Sequence, residues 1–166
     1  LRVTSRTLPD GSQSEFVYID HPGAVVVLPW QDGGEGPELL MLRQYRHAVR
    51  DTILEVPAGT RERGEAWQIC AQRELREETG YRAQEFINLG QCWPAPGLSS
   101  EVLTIYLAQG LSYDPLPKDK DEEIEVKAQS FEEVVAMALD GRLIDAKSVV
   151  GVIRAAYFLK IPPFNS

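Results

Sequence analysis

Cysteine is scarce in this chain. Cys70 and Cys92 are the only two among 166 residues, and they lack any metal-binding or redox spacing. A disulfide framework is thereby excluded, and both read as reduced core thiols. Long apolar runs are missing too: none approaches the roughly 20 residues a membrane helix needs. The start of the chain carries no signal-peptide pattern, and because it opens on Leu1, further residues are expected to precede it in the native protein. Positive charge is in deficit, with 17 basic against 25 acidic residues and a net charge of −8. That balance disfavours broad contact with nucleic acid or an anionic membrane. Repeats and linkers are lacking as well, so the expectation is one domain over residues 1–166, large enough for a real core and located in the cytoplasm.

What the chain does have is a dense acidic segment between Gly59 and Tyr81. Glu74, Glu77 and Glu78 stand at i, i+3 and i+4, so a helix brings three carboxylates within one turn. Like charges at that spacing repel unless something cationic sits between them. Clustered carboxylates are also the hard oxygen ligands that Mg²⁺ or Mn²⁺ prefers. At about 100° per residue, Trp67, Cys70 and Ala71 share the glutamate face, while Gln68, Gln72, Arg76 and Thr79 take the other. The carboxylates thus continue an inward, apolar face, where a charge needs a partner or a metal. Gly80 is placed to end the helix as its C′ residue.

Around this segment the pattern predicts a layered mixture of strands and helices, an α/β (α+β) architecture. Glu15–Ile19 and Gly23–Pro29 read as strands, the second around the continuous apolar run Ala24 to Leu28. The glycine-rich turn from Asp32 to Pro37 leads into a third strand, Leu39–Tyr45. A short strand is expected over Leu54–Pro57, and later ones over Arg82–Cys92 and Leu103–Ala108, with a Pro/Gly loop from Pro94 to Ser100 between them. Ser130 with Glu133 predicts a capping box, and Gly141 closes that helix. Lys147–Leu159 predicts a final helix with Val149, Val150, Ile153, Ala156 and Tyr157 as its apolar positions.

The spacing Gly59, five residues, Glu65, seven residues, then Arg73-Glu74-Leu75-Arg76-Glu77-Glu78-Thr79-Gly80 resembles the Nudix box of pyrophosphohydrolases. Every polar and glycine position is filled; Tyr81 stands where an aliphatic residue is commoner. The resemblance implies the Nudix fold, a mixed β-sheet sandwiched between helices. It also implies Mg²⁺ (or Mn²⁺) held by Glu74, Glu77 and Glu78, with the Ala58 carbonyl helping from the preceding loop. Arg73, four residues before Glu77, is expected to offset charge and orient the carboxylates, and Glu65 to act structurally or as an outer partner.

Outside the box, Pro96 lies sixteen residues beyond Gly80, a placement resembling the ADP-ribose pyrophosphatase branch. The segments Leu42 to Arg46 and Leu54 to Gly59, the latter carrying Glu55, also look like stretches of ADP-sugar hydrolases. The implied reaction is hydrolysis of ADP-ribose to AMP and ribose 5-phosphate. Another nucleoside diphosphate sugar such as GDP-mannose, or a non-catalytic ADP-ribose sensor, are the alternatives. Arg46 is the leading candidate for substrate phosphate, because a guanidinium binds phosphate oxygens bidentately. Arg43 is the second, but strand alternation puts the two on opposite faces; His47 has a weaker claim. Glu122, in the acidic run before a strand at Ile124, aligns with the family's general base, with Glu101 and Glu123 as rivals. Glu101 has an alternative role in binding ribose or a metal. Trp30, Trp93, Tyr18 and Phe16 are available to stack on a base. The family further implies a homodimer built by N-terminal strands in residues 1–20.

Overall fold

The run Val25 to Leu28 organises the molecule, because a strand sends alternate side chains to opposite faces. In the computed structural model, which describes residues 1–117 and 123–164, it lies in β3 (Ala24–Gly33). Val26 and Leu28 enter one core with Met41, Phe131, Val134, Val152 and Ala155. Val25 and Val27 enter a second, smaller core with Cys70, Ala71 and Leu75. A strand covered on both faces loses the polar alternation of a half-exposed one, which explains the continuous apolar run.

Five further strands share the sheet with β3 and β8 (Glu85–Cys92): β4 (Gly36–Arg46), β5 (Asp51–Glu55), β6 (Ala58–Thr60), β9 (Leu103–Gln109) and β11 (Ile124–Ser130). The spatial order is β11-β4-β3-β9-β8, with β5 paired to β4 and β6 to β3. β3 and β9 run parallel while the other pairings are antiparallel, so the sheet is mixed. α1 (Trp67–Thr79) covers one face; α2 (Phe131–Asp140) and α3 (Ala146–Phe158) cover the other. Two small sheets stand apart: the hairpin β1 (Arg2–Thr7) with β2 (Gln13–Tyr18), and β7 (Tyr81–Arg82) with β10 (Ser112–Tyr113).

Several expectations need correction. The strand over Arg82–Cys92 is broken: β7 pairs away with β10, and Gln84 N–H then donates to the Gln109 carbonyl to start β8. The strand at Leu54–Pro57 begins earlier, at Asp51, and ends at Glu55. Ser130 makes no side-chain cap, because it still belongs to the sheet, paired with Glu38. Thr79 is buried rather than outward, its hydroxyl donating to the Leu75 carbonyl at 2.5 Å and accepting from Tyr81 N–H at 3.1 Å. α3 buries Ser148, Gly151, Val152, Ala155 and Ala156, while Tyr157 is exposed. The reason is close approach: a Cβ at Gly151 would stand 3.1 Å from Leu28 Cδ1, so small residues face the sheet. Cys70 is buried and Cys92 half-buried, both as free thiols. Among the described residues, no helix is long and apolar enough to cross a membrane.

Candidate active site

α1 ends at Gly80 in the left-handed region, φ 81°, its N–H donating to the Arg76 carbonyl, a conformation glycine adopts without a Cβ penalty. The last turns of this helix lie against the loop from Ala58 to Thr60. Glu78 is buried, and its Oε2 accepts from Ala58 N–H at 2.9 Å. Glu74 presses on Gly59: a Cβ there would sit 1.9 Å from the Glu74 carboxyl carbon. Glycine at this position leaves the space that the Glu74 carboxylate occupies.

Arg73 ties the rest together. Its Nε and Nη2 reach Glu65 at 3.0 and 3.1 Å, and Nη1 reaches Glu74 at 2.6 Å and Glu77 at 3.0 Å. Nη2 also donates to the Thr60 carbonyl at 3.2 Å. The guanidinium holds the Glu65 carboxyl below its ordinary range, and Glu65 in turn raises Arg73 further above an already basic value. Arg73 bonded to both Glu74 and Glu77 offsets the repulsion between those two, while Glu78, the third of the i, i+3, i+4 set, is satisfied by the Ala58 N–H. The Cys70 thiol beneath them is pushed up to about 12, chiefly by burial and next by Glu65.

The sequence expected these carboxylates to hold a divalent cation. Among the described residues no three Asp, Glu, His or Cys side chains converge closely enough to enclose one. Arg73 bonds Glu74 and Glu77, and Glu78 turns to the Ala58 backbone. The donor chemistry nevertheless fits a hard cation: three carboxylates on one helical face, with Gly59 leaving the space that the Glu74 carboxylate occupies.

A second network lies two residues upstream of Pro57. Glu55 is fully buried, and Arg46 binds it bidentately, Nε to Oε1 at 2.8 Å and Nη2 to Oε2 at 2.9 Å. Lys147 Nζ bonds Glu55 Oε2 from the far end of the chain, and Asp145 Oδ2 at 2.9 Å. Asp145 caps α3 by accepting from Ser148 N–H at 3.1 Å and Ser148 Oγ at 2.5 Å. Ser148 Oγ in turn accepts from Val56 N–H at 2.9 Å. Sequence reasoning singled out Arg46 and Glu55 but missed Lys147, Asp145 and Ser148. The Asp-x-x-Ser spacing, an N-cap pattern, was the available signal.

The remaining candidates sit elsewhere. Arg43 is exposed and lines a cleft of about 510 Å³ with Tyr45, Thr52, Glu123 and Glu125. It lies on the face of β4 opposite Arg46, as alternation requires. Pro96 is exposed, and lines a smaller cleft of about 300 Å³ with Phe16, Tyr18 and Ser99. Glu101 Oε1 lies 3.6 Å from His21 Nδ1. Trp93 is exposed, while Trp30 packs on the core, its indole N–H without a hydrogen-bond partner among the described residues. Glu122 lies outside the described residues.

Known proteins resemble this chain over most of its length. The family model described as the NUDIX domain matches residues 20–150. An ADP-ribose pyrophosphatase of Bacillus subtilis (strain 168) is 34% identical over 154 residues, spanning 92% of this chain and 82% of its own. A protein of Bacillus methanolicus named methanol dehydrogenase activator is 33% identical over the same shares. A solved structure titled as an ADP compounds hydrolase superposes with a TM-score of 0.83, covering 98% of this chain and 86% of that one. At 22% identity that last match speaks for the fold alone.

Proposed function

The chain belongs to the NUDIX domain family, and from that premise we propose that it is a Mg²⁺-dependent hydrolase converting ADP-ribose to AMP and ribose 5-phosphate. The observation that carries the reading is the set of box carboxylates gathered by Arg73 against the loop at Ala58 to Thr60. The name of the Bacillus subtilis relative, an ADP-ribose pyrophosphatase, supports the substrate.

A bound divalent cation supplies Lewis-acid polarisation of phosphoryl oxygens and lowers the pKa of a bound water. Glu74, Glu77 and Glu78, with the Ala58 carbonyl, are the residues that would hold it. Mn²⁺ would substitute for Mg²⁺. Arg73 positions the carboxylates, anchored on the far side by Glu65. Arg46 holds a substrate phosphate, oriented by the buried Glu55. Pro96 and Glu101 contribute further substrate contacts, Arg43 being turned to the other face of β4, and Glu122 takes the proton from the attacking water. The oxygen of that water adds to one phosphorus, the bridging P–O bond breaks, and the leaving phosphate carries the bridging oxygen away. The exposed β1–β2 hairpin supports a homodimer: an isolated two-stranded ribbon is marginal in water, and Val3, Phe16 and Val17 are exposed on it. The partner is a small-molecule nucleotide sugar, not nucleic acid or a membrane, and the expected location is the cytoplasm.

The test is turnover on ADP-ribose, GDP-mannose, UDP-glucose, NADH and 8-oxo-dGTP with Mg²⁺ or Mn²⁺, adding phosphatase to release phosphate from the products. ADP-ribose is expected to lead in kcat/KM by about tenfold or more, a gap of roughly 1.4 kcal/mol in transition-state binding. GDP-mannose in the lead would overturn the substrate. Binding of ADP-ribose without turnover under either metal would make the chain a sensor.

A further inference from the structure

We infer that Lys147 is a positioning residue for the phosphate arm of the site, acting through Glu55 on Arg46; what Arg46 holds rests on the function proposed above. The side chain of Glu55 is only 1% exposed. A carboxylate so enclosed needs partners on both oxygens, since burying an unpaired charge is costly. Arg46 takes one bond on each oxygen. That fork is planar only if the carboxylate plane is fixed, and Arg46 cannot fix it alone, being 38% exposed on a strand end.

Lys147 supplies the missing constraint. Its ammonium bonds Glu55 Oε2 from an element 92 residues away in sequence, and its side chain is 16% exposed. Asp145 pins the same ammonium at 2.9 Å, and Asp145 is itself set by capping α3. The start of α3 thus orients the Glu55 carboxylate, and Glu55 presents the guanidinium of Arg46 at the edge of the sheet. Ser148 belongs to the same network, since its hydroxyl bonds the Asp145 oxygen that pins Lys147. Val152 lies on the same helix but is buried in the larger core and offers no polar side-chain atom to Glu55, so comparing Lys147 with Val152 separates positioning from mere stability.

The experiment compares Lys147→Met, Lys147→Arg and Val152→Ala in the full chain by steady-state kinetics and by the ¹⁵N–¹H signal of Arg46 Nε, which needs no substrate. Lys147→Met is expected to raise KM about tenfold, the scale of one charge-assisted hydrogen bond, with kcat unchanged. The Arg46 Nε signal should broaden in that variant. Lys147→Arg should restore both readouts. Val152→Ala should lower Tm, as a core cavity does, while leaving KM and the Nε signal as in wild type. An unchanged Nε signal in Lys147→Met, or Val152→Ala reproducing its broadening, would overturn the inference. Should ADP-ribose prove not to be the substrate, the function fails separately, and the Nε signal alone decides the role of Lys147.

Discussion

Two charge networks flank Pro57, and they are built in opposite senses. On the α1 side a single guanidinium, Arg73, holds three carboxylates, Glu65, Glu74 and Glu77. On the α3 side the buried carboxylate of Glu55 holds two cations, Arg46 and Lys147, with Asp145 pinning Lys147 from beyond. The first is rich in hard oxygen donors and lies beside a smaller apolar core, so it suits a divalent cation. The second sits where the larger core meets the sheet edge and turns a guanidinium outward, so it suits a phosphate. A diphosphate substrate needs both kinds of surface side by side, and the short stretch from Glu55 to Gly59 joins them.

The sharpest way to break this division is Glu78→Gln. Loss of a hard ligand should cost several kcal/mol of transition-state stabilisation, on the order of 10³-fold in kcat, with the circular dichroism spectrum and Tm retained. Wild-type turnover would remove the metal assignment from the α1 network. On the other side, Glu55→Gln should cost about 3 kcal/mol of unfolding free energy, the scale of breaking a buried ion pair, as read by urea denaturation. A loss below about 1 kcal/mol would show the pair to be no better than a surface one.

Gly59→Ala sharpens the comparison with a smaller change. The new Cβ would meet the Glu74 carboxylate, the movable end of a flexible side chain, so the fold should survive while the carboxylate is displaced. The Mg²⁺ concentration for half-maximal rate should rise about tenfold, whereas KM for substrate at saturating Mg²⁺ should hold. The smallest effect is in acid. Arg73 depresses the Glu65 pKa, so the stabilisation from this pair is present above the unfolded value near 4.5. It is lost as pH falls through the lower folded value. Denaturation curves for Glu65→Gln should therefore flatten relative to wild type below that pH; parallel curves would deny the coupling.

The α1 network was legible in the sequence because everything that makes it is local. A helix converts i, i+3 and i+4 into one face, and Gly80 announces its own left-handed turn. The strand at Val25 to Leu28 was legible for a similar reason, since only a doubly covered strand is apolar throughout. The α3 network was half legible. Arg46 and Glu55 are joined by the hairpin of β4 and β5, within nine residues, but Lys147 arrives across 92, and periodicity carries no information at that range. The face of α3 was only partly legible for a related reason. Of the expected apolar positions Ala156 is buried and Val149 and Val150 pack partly on the core, but Tyr157 is exposed; Gly151, Val152 and Ala155 complete the buried face, with closeness to Leu28 favouring the small residue at Gly151. Ser130 lost its cap because the strand before the helix claimed its backbone first.

The most direct measurement is an electron paramagnetic resonance titration of Mn²⁺ into wild type, Glu78→Gln and Glu55→Gln without substrate. If the two networks divide the work as argued, Glu78→Gln weakens Mn²⁺ at least about tenfold and Glu55→Gln leaves its affinity at the wild-type value. Equal weakening in both variants, or undiminished binding in Glu78→Gln, would contradict it.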